Sequence, residues 1–199
     1  LTPLYDVILL DTGAGISDVV LFSISLASEV LIVATPEPTF SYSTSSGCVP
    51  FEVRFTNDTP NQDQQMAAWD LGNGQTPNTT DAIGLYDTPG VYTVILSMTN
   101  ALGCSATDTV PNAITAYGVP AVSFFVDPDS GCAPLDVLFT NTTDASMIGG
   151  CTWAFGDGST SEDCSTAHTY AQSGTFTVSL TVNSPAGCEG DTTLFHLVQ

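Results

Sequence analysis

Trp153-Ala154-Phe155-Gly156-Asp157-Gly158 predicts a short strand with aromatic side chains facing a core, followed by a tight turn. Its two glycines permit the positive φ angles that such a turn requires. An earlier copy, Trp69-Asp70-Leu71-Gly72-Asn73-Gly74, lies 84 positions before it. The same offset relates further pairs: Phe40 and Phe124, Cys48 and Cys132, Pro50 and Pro134, Phe55 and Phe139, Asn57 and Asn141, Tyr86 and Tyr170, Gly90 and Gly174, and Cys104 and Cys188. An ungapped repeat of this length predicts two domains of the same fold.

The composition restricts the function. The 199 residues include 21 acidic residues and a single basic residue, Arg54, which gives a formal net charge of −20. Without a cationic patch, binding to nucleic acid or to anionic membrane is excluded. No apolar run approaches the roughly 20 residues that a membrane-spanning helix needs, so membrane insertion is not expected. The charge indicates a self-repelling extracellular surface, with a surface bridged by Ca²⁺ as the alternative.

The repeat divides the chain into domains. Residues 39–119 form the first repeat and residues 120–199 the second, and each is long enough to bury a core of its own. Alternating apolar and polar side chains, as in Phe51-Glu52-Val53-Arg54-Phe55, predict strands. Only Gly118-Val119-Pro120 separates the repeats, which is too short for a flexible linker. We therefore expect the two domains to stack end to end.

Residues 1–38 precede the repeats and are predicted to form an N-terminal strand segment. Tyr5–Leu10 and Glu29–Ala34 are apolar, β-prone runs with too few local partners for a stable sheet. The segment from residue 5 to residue 39 resembles a fragment of the ParA/MinD-type ATPases of the flagellar-number regulators. The matching residues are Tyr5-Asp6, Ile8, Asp11-Thr12-Gly13-Ala14-Gly15-Ile16-Ser17, Glu29-Val30 and Thr35-Pro36-Glu37-Pro38-Thr39. The phosphate-binding loop and its lysine are missing, so we expect no ATPase activity.

The repeats themselves resemble the PKD domain, an Ig-like β-sandwich. The matching residues are Gly131-Cys132-Ala133-Pro134-Leu135, Trp153 to Gly158, His168-Thr169-Tyr170 and Gly174 to Val182. The first repeat departs from the pattern at Asn73 and at Gly84, where the second has Asp157 and His168. The resemblance implies an all-β fold of two tandem sandwiches, and a non-catalytic module of an extracellular protein.

The candidate catalytic and sugar-binding residues have simpler structural explanations. Trp69 and Trp153 are expected to fill the sandwich interiors rather than to stack on a sugar ring. His168 is expected to hold a turn by a hydrogen bond, and neither it nor His196 has a recognisable nucleophile partner. We therefore expect no enzyme activity and no catalytic residue.

Acidic residues and Asn-x-Thr triplets are candidate ligand or modification sites. Asp127, Asp129 and Asp157 lack the spacing of a Ca²⁺-binding loop and are expected to be solvated turn residues, so no cofactor is predicted. The triplets that begin at Asn57, Asn78 and Asn141 fit the acceptor pattern for N-linked glycans. These three asparagines are candidate glycosylation sites on a glycoprotein.

The six cysteines lack zinc-site spacing and predict a disulfide framework in an oxidising compartment. Cys151 and Cys164 are equidistant from the predicted turn at Asp157-Gly158, so they should face each other and form a bridge. The first repeat has Ala67 and Thr80 at these positions, which makes this bridge specific to the second repeat.

The other four cysteines are expected to link domains. In an Ig-like sandwich, Cys48 and Cys104 lie at opposite ends of strands roughly 23 Å long, whereas bridged Cα atoms lie within about 7 Å. We therefore predict a bridge from Cys48 to Cys188. Cys104 and Cys132 would then face neighbouring copies of the chain.

Together these patterns predict a structural or adhesive protein of the cell surface or of a secreted filament. The chain is expected to self-associate head to tail into a homopolymer, with residues 1–38 donated as strands to a neighbouring copy. The alternatives are a fold-back of residues 1–38 on the first repeat, and a carbohydrate-binding accessory module of a secreted hydrolase.

Overall fold

A computed structural model describes residues 35–60 and 65–198, without the side chains of residues 196–198. The chain divides into two units, Leu1–Thr35 and Pro36–Gln199. The second unit contains both repeats. The predicted strands within residues 1–34 and their ATPase resemblance lie outside the described residues and stay predictions.

The first repeat folds into a sandwich of seven strands. They are β1 (Phe40–Tyr42), β2 (Ser46–Cys48), β3 (Phe51–Asn57), β4 (Gln65–Asp70), β5 (Ala82–Tyr86), β6 (Gly90–Asn100) and β7 (Ser105–Tyr117). One sheet has the order β1-β3-β5 and the other β2-β7-β6-β4. All neighbours are antiparallel except β2, which runs parallel to the end of β7.

The second repeat folds in the same way. Its strands are β8 (Phe124–Asp127), β9 (Ser130–Gly131), β10 (Leu135–Asn141), β11 (Gly150–Ala154), β12 (Thr160–Ser161), β13 (Thr166–Tyr170), β14 (Gly174–Asn183) and β15 (Glu189–Val198). The sheets have the orders β8-β10-β13 and β12-β11-β14-β15-β9. A 3-10 turn, Ala145–Met147, precedes β11. The predicted fold class, two tandem Ig-like β-sandwiches, is confirmed.

Each core is built by strand alternation around a tryptophan. Trp69 is 2% exposed and Trp153 is fully buried. Phe40 meets Trp69 edge-on at a ring-centroid distance of 5.2 Å, and Phe124 meets Trp153 in the same way at 4.9 Å. Such edge-to-face pairs stabilise the fold by more than the burial of their apolar area alone. The repeated aromatic positions therefore specify two equivalent cores.

A buried tyrosine in each sandwich fastens the turn after the tryptophan strand. The hydroxyl of Tyr86 donates to the carbonyl of Leu71, and that of Tyr170 to the carbonyl of Phe155, each at 2.9 Å. Burial raises the pKa of Tyr86 to about 12 and also raises the pKa of Tyr170. Both hydroxyls therefore remain protonated donors at neutral pH.

The turn between β11 and β12 of the second sandwich is centred half a residue earlier in the chain than the sequence predicts. Trp153 pairs with Ser161, and the amide of Phe155 donates to the carbonyl of Ser159 at 3.1 Å. Both relations place the centre on Asp157, whereas the predicted turn was centred between Asp157 and Gly158. The predicted register of this hairpin is therefore wrong by one residue.

Strand β7 contains two residues that its counterpart β15 lacks. Gly90 pairs with Ala116, while its repeat counterpart Gly174 pairs with Val198, so the offset falls from 84 to 82. The ladder shifts register between Tyr92 and Val94, and Asn112 adopts a positive φ of 53°. A β-bulge in β7 accounts for the difference.

Candidate interaction site at the domain junction

The two sandwiches are joined covalently where they meet. Cys48 is bonded to Cys188 with a Cα–Cα distance of 5.6 Å across 140 positions of sequence. Cys48 pairs with Tyr117 at the end of the first sandwich, and Cys188 directly precedes Glu189, the first residue of β15. This is the pairing that sandwich geometry predicted in preference to Cys48–Cys104. The bridge fixes one end of each sandwich against the other.

Backbone contacts and a small apolar cleft complete the junction. The amide of Val49 donates to the carbonyl of Tyr117 at 2.9 Å, and the Sγ of Cys188 lies 4.0 Å from that carbonyl oxygen. The cleft is lined by Tyr117, Gly118, Ser146, Met147, Ser184, Pro185 and Ala186. The last three belong to the loop between β14 and β15. The junction thus uses the last strand of one sandwich and a loop of the next.

Close backbone approach holds the linker against β15. A Cβ on Gly190 would collide with the carbonyl oxygen of Pro120, the last residue of the linker. A Cβ on Gly149 would lie 2.9 Å from the backbone of Ser184 and Pro185. Glycine at these two positions lets the linker and the β14–β15 loop pack tightly.

Two cysteines in the described part of the chain are not in disulfides. Cys104 is half-buried in the loop between β6 and β7, and Cys132 is exposed directly after β9. They are the repeat counterparts of Cys188 and Cys48, the two cysteines that are bonded to each other.

The second sandwich has an internal bridge. Cys151 is bonded to Cys164 with a Cα–Cα distance of 5.1 Å, the predicted pair. Cys164 lies beyond Ser161, the last paired residue of β12, so the bridge does not depend on the predicted register. It closes the loop that contains the Gly-Asp-Gly turn.

His168 holds that turn, as predicted. Its Nε2 lies 2.8 Å from Oδ2 of Asp157, and its ring stacks on Phe155 at 4.3 Å with the planes 6° apart. Desolvation acts to raise the pKa of Asp157, but the bonds from the Ser159 amide and from His168 outweigh it and lower that pKa. The turn is therefore fastened by an ionised carboxylate.

The first sandwich fastens the same turn without a histidine. Asn73 stands where Asp157 stands in the second, and its amide donates to the carbonyl of Leu85 at 2.9 Å. The Oε1 of Gln75 accepts from the amide of Leu85 at 3.0 Å. These side chains occupy the outer edge of β5, so the departure from the family pattern has a structural replacement.

The structure corrects the glycosylation candidate at Asn57. This residue is 2% exposed, and its Nδ2 donates to Sδ of Met98 at 3.4 Å, so a glycan cannot be accommodated there. Its Oδ1 accepts from the amide of Thr59 at 3.0 Å, which makes the Asn-x-Thr triplet a turn motif. Asn141 is half-buried and makes the same bond from Thr143, at 2.9 Å. Asn78 is exposed in the loop after β4 and stays a candidate.

The remaining candidate residues do not come together. Asp127 ends β8, Asp129 accepts from the hydroxyl of its neighbour Ser130, and Asp157 lies in the turn. Across residues 35–60 and 65–198, no three His, Cys, Asp or Glu side chains are grouped to hold a metal ion. The side chain of His196 lies outside the described part.

Two sandwiches with buried tryptophans and a bridged junction define a tandem Ig-like module. The PKD domain family matches residues 34–115 and residues 120–198, and the chain belongs to this family. PKD domains are generally non-catalytic modules. This family and the disulfides together indicate an extracellular protein. In the described ranges, no helix is long and apolar enough to cross a membrane.

Two solved structures are each similar to part of this chain. The PKD1 domain of Vibrio anguillarum Epp is 29% identical, and the match covers 41% of this chain and 94% of that one, with a TM-score of 0.37. The PKD1 domain of the Vibrio cholerae metalloprotease PrtV is 26% identical, with 41% and 98% covered and a TM-score of 0.36.

Proposed function

We propose that the chain is a non-catalytic structural or adhesive protein, a subunit of a cell-surface or secreted filament that assembles head to tail. The observation that carries the proposal is the junction between the sandwiches. A linker of three residues and the Cys48–Cys188 bridge hold the two sandwiches together, which supports end-to-end stacking. A unit built to stack end to end within a chain has surfaces suited to stack between chains.

Within this proposal, residues 1–38 act as the donated strands. Residues 1–34 lie outside the described part, so this element rests on their sequence. The structure offers β8 as a receiving edge, because it is an outer strand of its sheet and Phe125 is 58% exposed there. Leu138 is exposed on the same face of the neighbouring strand. A donated strand would pair with the free edge of β8 in the plane of the sheet and place its own side chains beside Phe125.

The charge of the surface favours thin filaments. With a formal net charge of −20 per chain, lateral association is opposed by like-charge repulsion. The proposal requires no cofactor, and Ca²⁺ or a glycan at Asn78 would act only on this surface. The burial of Trp69 and Trp153 removes the aromatic platform that these residues would have supplied to the carbohydrate-binding alternative.

Negative-stain electron microscopy of the full chain and of a deletion of residues 1–34 tests the proposal. The full chain is expected to form filaments whose axial repeat equals one two-domain unit, and the deletion to form none. Leu31→Asp should have the effect of the deletion. Phe125→Ser, a change in the receiving strand, should weaken assembly less. A full chain that stays monomeric at every concentration and salt would refute the filament. Unchanged filaments of the deletion would refute strand donation alone.

A further inference from the structure

We propose that Cys132 of one copy of the chain forms a disulfide with Cys104 of a second copy, repeating between chains the bridge that joins Cys48 to Cys188 within one. The inference rests on the head-to-tail association proposed above and names its covalent chemistry. The end of one copy that carries Cys132 would face the end of the next copy that carries Cys104.

The repeat itself identifies the partners. Cys132 is the counterpart of Cys48, and Cys104 is the counterpart of Cys188. The bonded pair therefore joins the first cysteine of one repeat, Cys48, to the last cysteine of the following repeat, Cys188. Applying the same relation to the next junction pairs Cys132 with a Cys104.

The loop that carries Cys104 has the conformation of the loop that carries Cys188. The amide of Asn100 donates to the carbonyl of Cys104 at 3.0 Å, and the equivalent bond from Ser184 to Cys188 is 2.8 Å. The Oδ1 of Asn100 accepts from the amide of Cys104, as the Oγ of Ser184 accepts from that of Cys188, each at 3.0 Å. The glycine before each cysteine has a φ of 84°. The thiol of Cys104 is therefore presented on the same scaffold as the bonded sulfur of Cys188.

The opposite end carries Cys132 as the first sandwich carries Cys48. Gly47 pairs in parallel with Ala116, the residue opposite Gly90, and Gly131 pairs in parallel with Val198, the residue opposite Gly174. Each cysteine follows that glycine directly. Cys132 is exposed, so its sulfur is available to a partner outside the chain.

The two free cysteines of one chain are not bonded to each other, and each lies at the far end of its sandwich from the junction. Cys104 precedes β7 and Cys48 lies beside its far end, about 40 Å away for a strand of thirteen residues. Cys188 precedes β15 and Cys132 lies beside its far end, about 30 Å away for ten residues. Since Cys48 and Cys188 meet at the junction, Cys104 and Cys132 each lie at the end of their own sandwich that is opposite the junction.

An apolar side chain beside Cys104 suits this contact. Leu102 is 61% exposed at the tip of the loop between β6 and β7. Its counterpart in the second sandwich is Ala186, which lines the cleft of the internal junction. Leu102 would enter the corresponding position between copies and bury area that the single chain leaves in water.

The bond forms by thiol–disulfide exchange with a small disulfide oxidant such as oxidised glutathione. The Cys132 thiolate attacks one glutathione sulfur, which forms a mixed disulfide and releases one glutathione thiolate. The Cys104 thiolate of the second copy then attacks the Cys132 sulfur and releases the other glutathione thiolate. The two cysteines lose two electrons, and the two glutathione thiolates carry these and take up the two protons.

Single-cysteine variants in a glutathione redox buffer test the inference. Cys104→Ser and Cys132→Ser each retain one free cysteine and the Cys48–Cys188 bridge, and thermal unfolding verifies that both fold. On a non-reducing gel, the parent chain is expected to form a ladder. An equimolar mixture of the variants, one of them ¹⁵N-labelled, should form a dimer and stop there. Mass spectrometry should find a Cys104–Cys132 peptide joining labelled and unlabelled halves.

The outcomes separate this inference from the proposed function. The inference is overturned if the variants form only symmetric dimers, each of a single variant, or if the parent chain stays monomeric on the non-reducing gel. Filaments that form with both thiols free would also overturn it while leaving the proposed function standing. A parent chain without filaments that still gives the mixed-label peptide would refute the filament and retain the bridge.

Discussion

Replacing Cys151 by Ala and Cys164 by Thr gives the second sandwich the residues of the first repeat at Ala67 and Thr80. The bridge closes a loop of 13 positions, for which the loss of chain entropy in the unfolded state gives about 3 kcal/mol at 25 °C. For a domain of this size, about 3 kcal/mol corresponds to a fall in Tm of roughly 12–24 °C. The Nδ2 of Asn141, which donates to Sγ of Cys151 at 3.5 Å, also loses that acceptor.

Differential scanning calorimetry combined with hydrogen exchange measures this effect separately in each sandwich. Exchange in β11 and β14 of the variant should accelerate at a given temperature, while exchange in β4 and β6 stays at the parent rate. The first sandwich is thus a control within the same molecule. A variant whose second sandwich melts within about 2 °C of the parent would refute the entropic argument. Equal loss in both sandwiches would show that they unfold as one unit.

Three further outcomes are expected. Gly190→Ala should destabilise the second sandwich by about 1–3 kcal/mol in urea unfolding, since the new Cβ meets the carbonyl of Pro120. Gly150→Ala, where no atom lies within 4 Å, is its control. Asp157 has a lowered pKa, so its contribution to the free energy of unfolding is present above the unfolded-state pKa and is lost as pH falls through the folded-state pKa. The Asp157→Asn variant should therefore lose less stability than the parent between pH 6 and pH 3. Expressed in a host that attaches N-linked glycans, the chain should lose its glycan on Asn78→Gln, and retention of the full mass in that variant would contradict the assignment.

The two cores could be predicted from sequence because the alternation of apolar side chains along the strands and the fixed offset of the repeat both reflect which residues are buried. Trp69 and Trp153 lie where the repeat places them. The register of the hairpin around Asp157 could not be predicted in the same way. A turn centred on Asp157 and a turn centred between Asp157 and Gly158 are both compatible with glycine at positions 156 and 158. The predicted Cys151–Cys164 bridge nevertheless forms, because Cys164 follows the last paired residue and its position is not set by the ladder.

Asn57 shows how one sequence pattern serves two purposes. An Asn-x-Thr triplet fits a glycan acceptor and also fits a turn in which Asn accepts from the amide two residues later. The recurrence of the triplet at the equivalent position, Asn141, was a signal for the second explanation, because a structural turn recurs with the fold. The two extra residues of β7 left a weaker signal, Pro111 followed by Asn112, at the point where the ladder shifts.

The Cys48–Cys188 bridge closes most of both sandwiches into one covalent ring. When the unit is pulled between residue 36 and residue 198, tension passes across the sulfur atoms and leaves the ring unstretched. Only the two segments outside the ring, residues 36–48 and 188–198, can extend. This limits the extension to about 80 Å at roughly 3.5 Å per residue. Without the bridge, the same stretch of chain would extend to about 570 Å. A load applied along this axis would therefore detach β1, β2 and β15 from their sheets, but it would place no tension on the strands between Cys48 and Cys188.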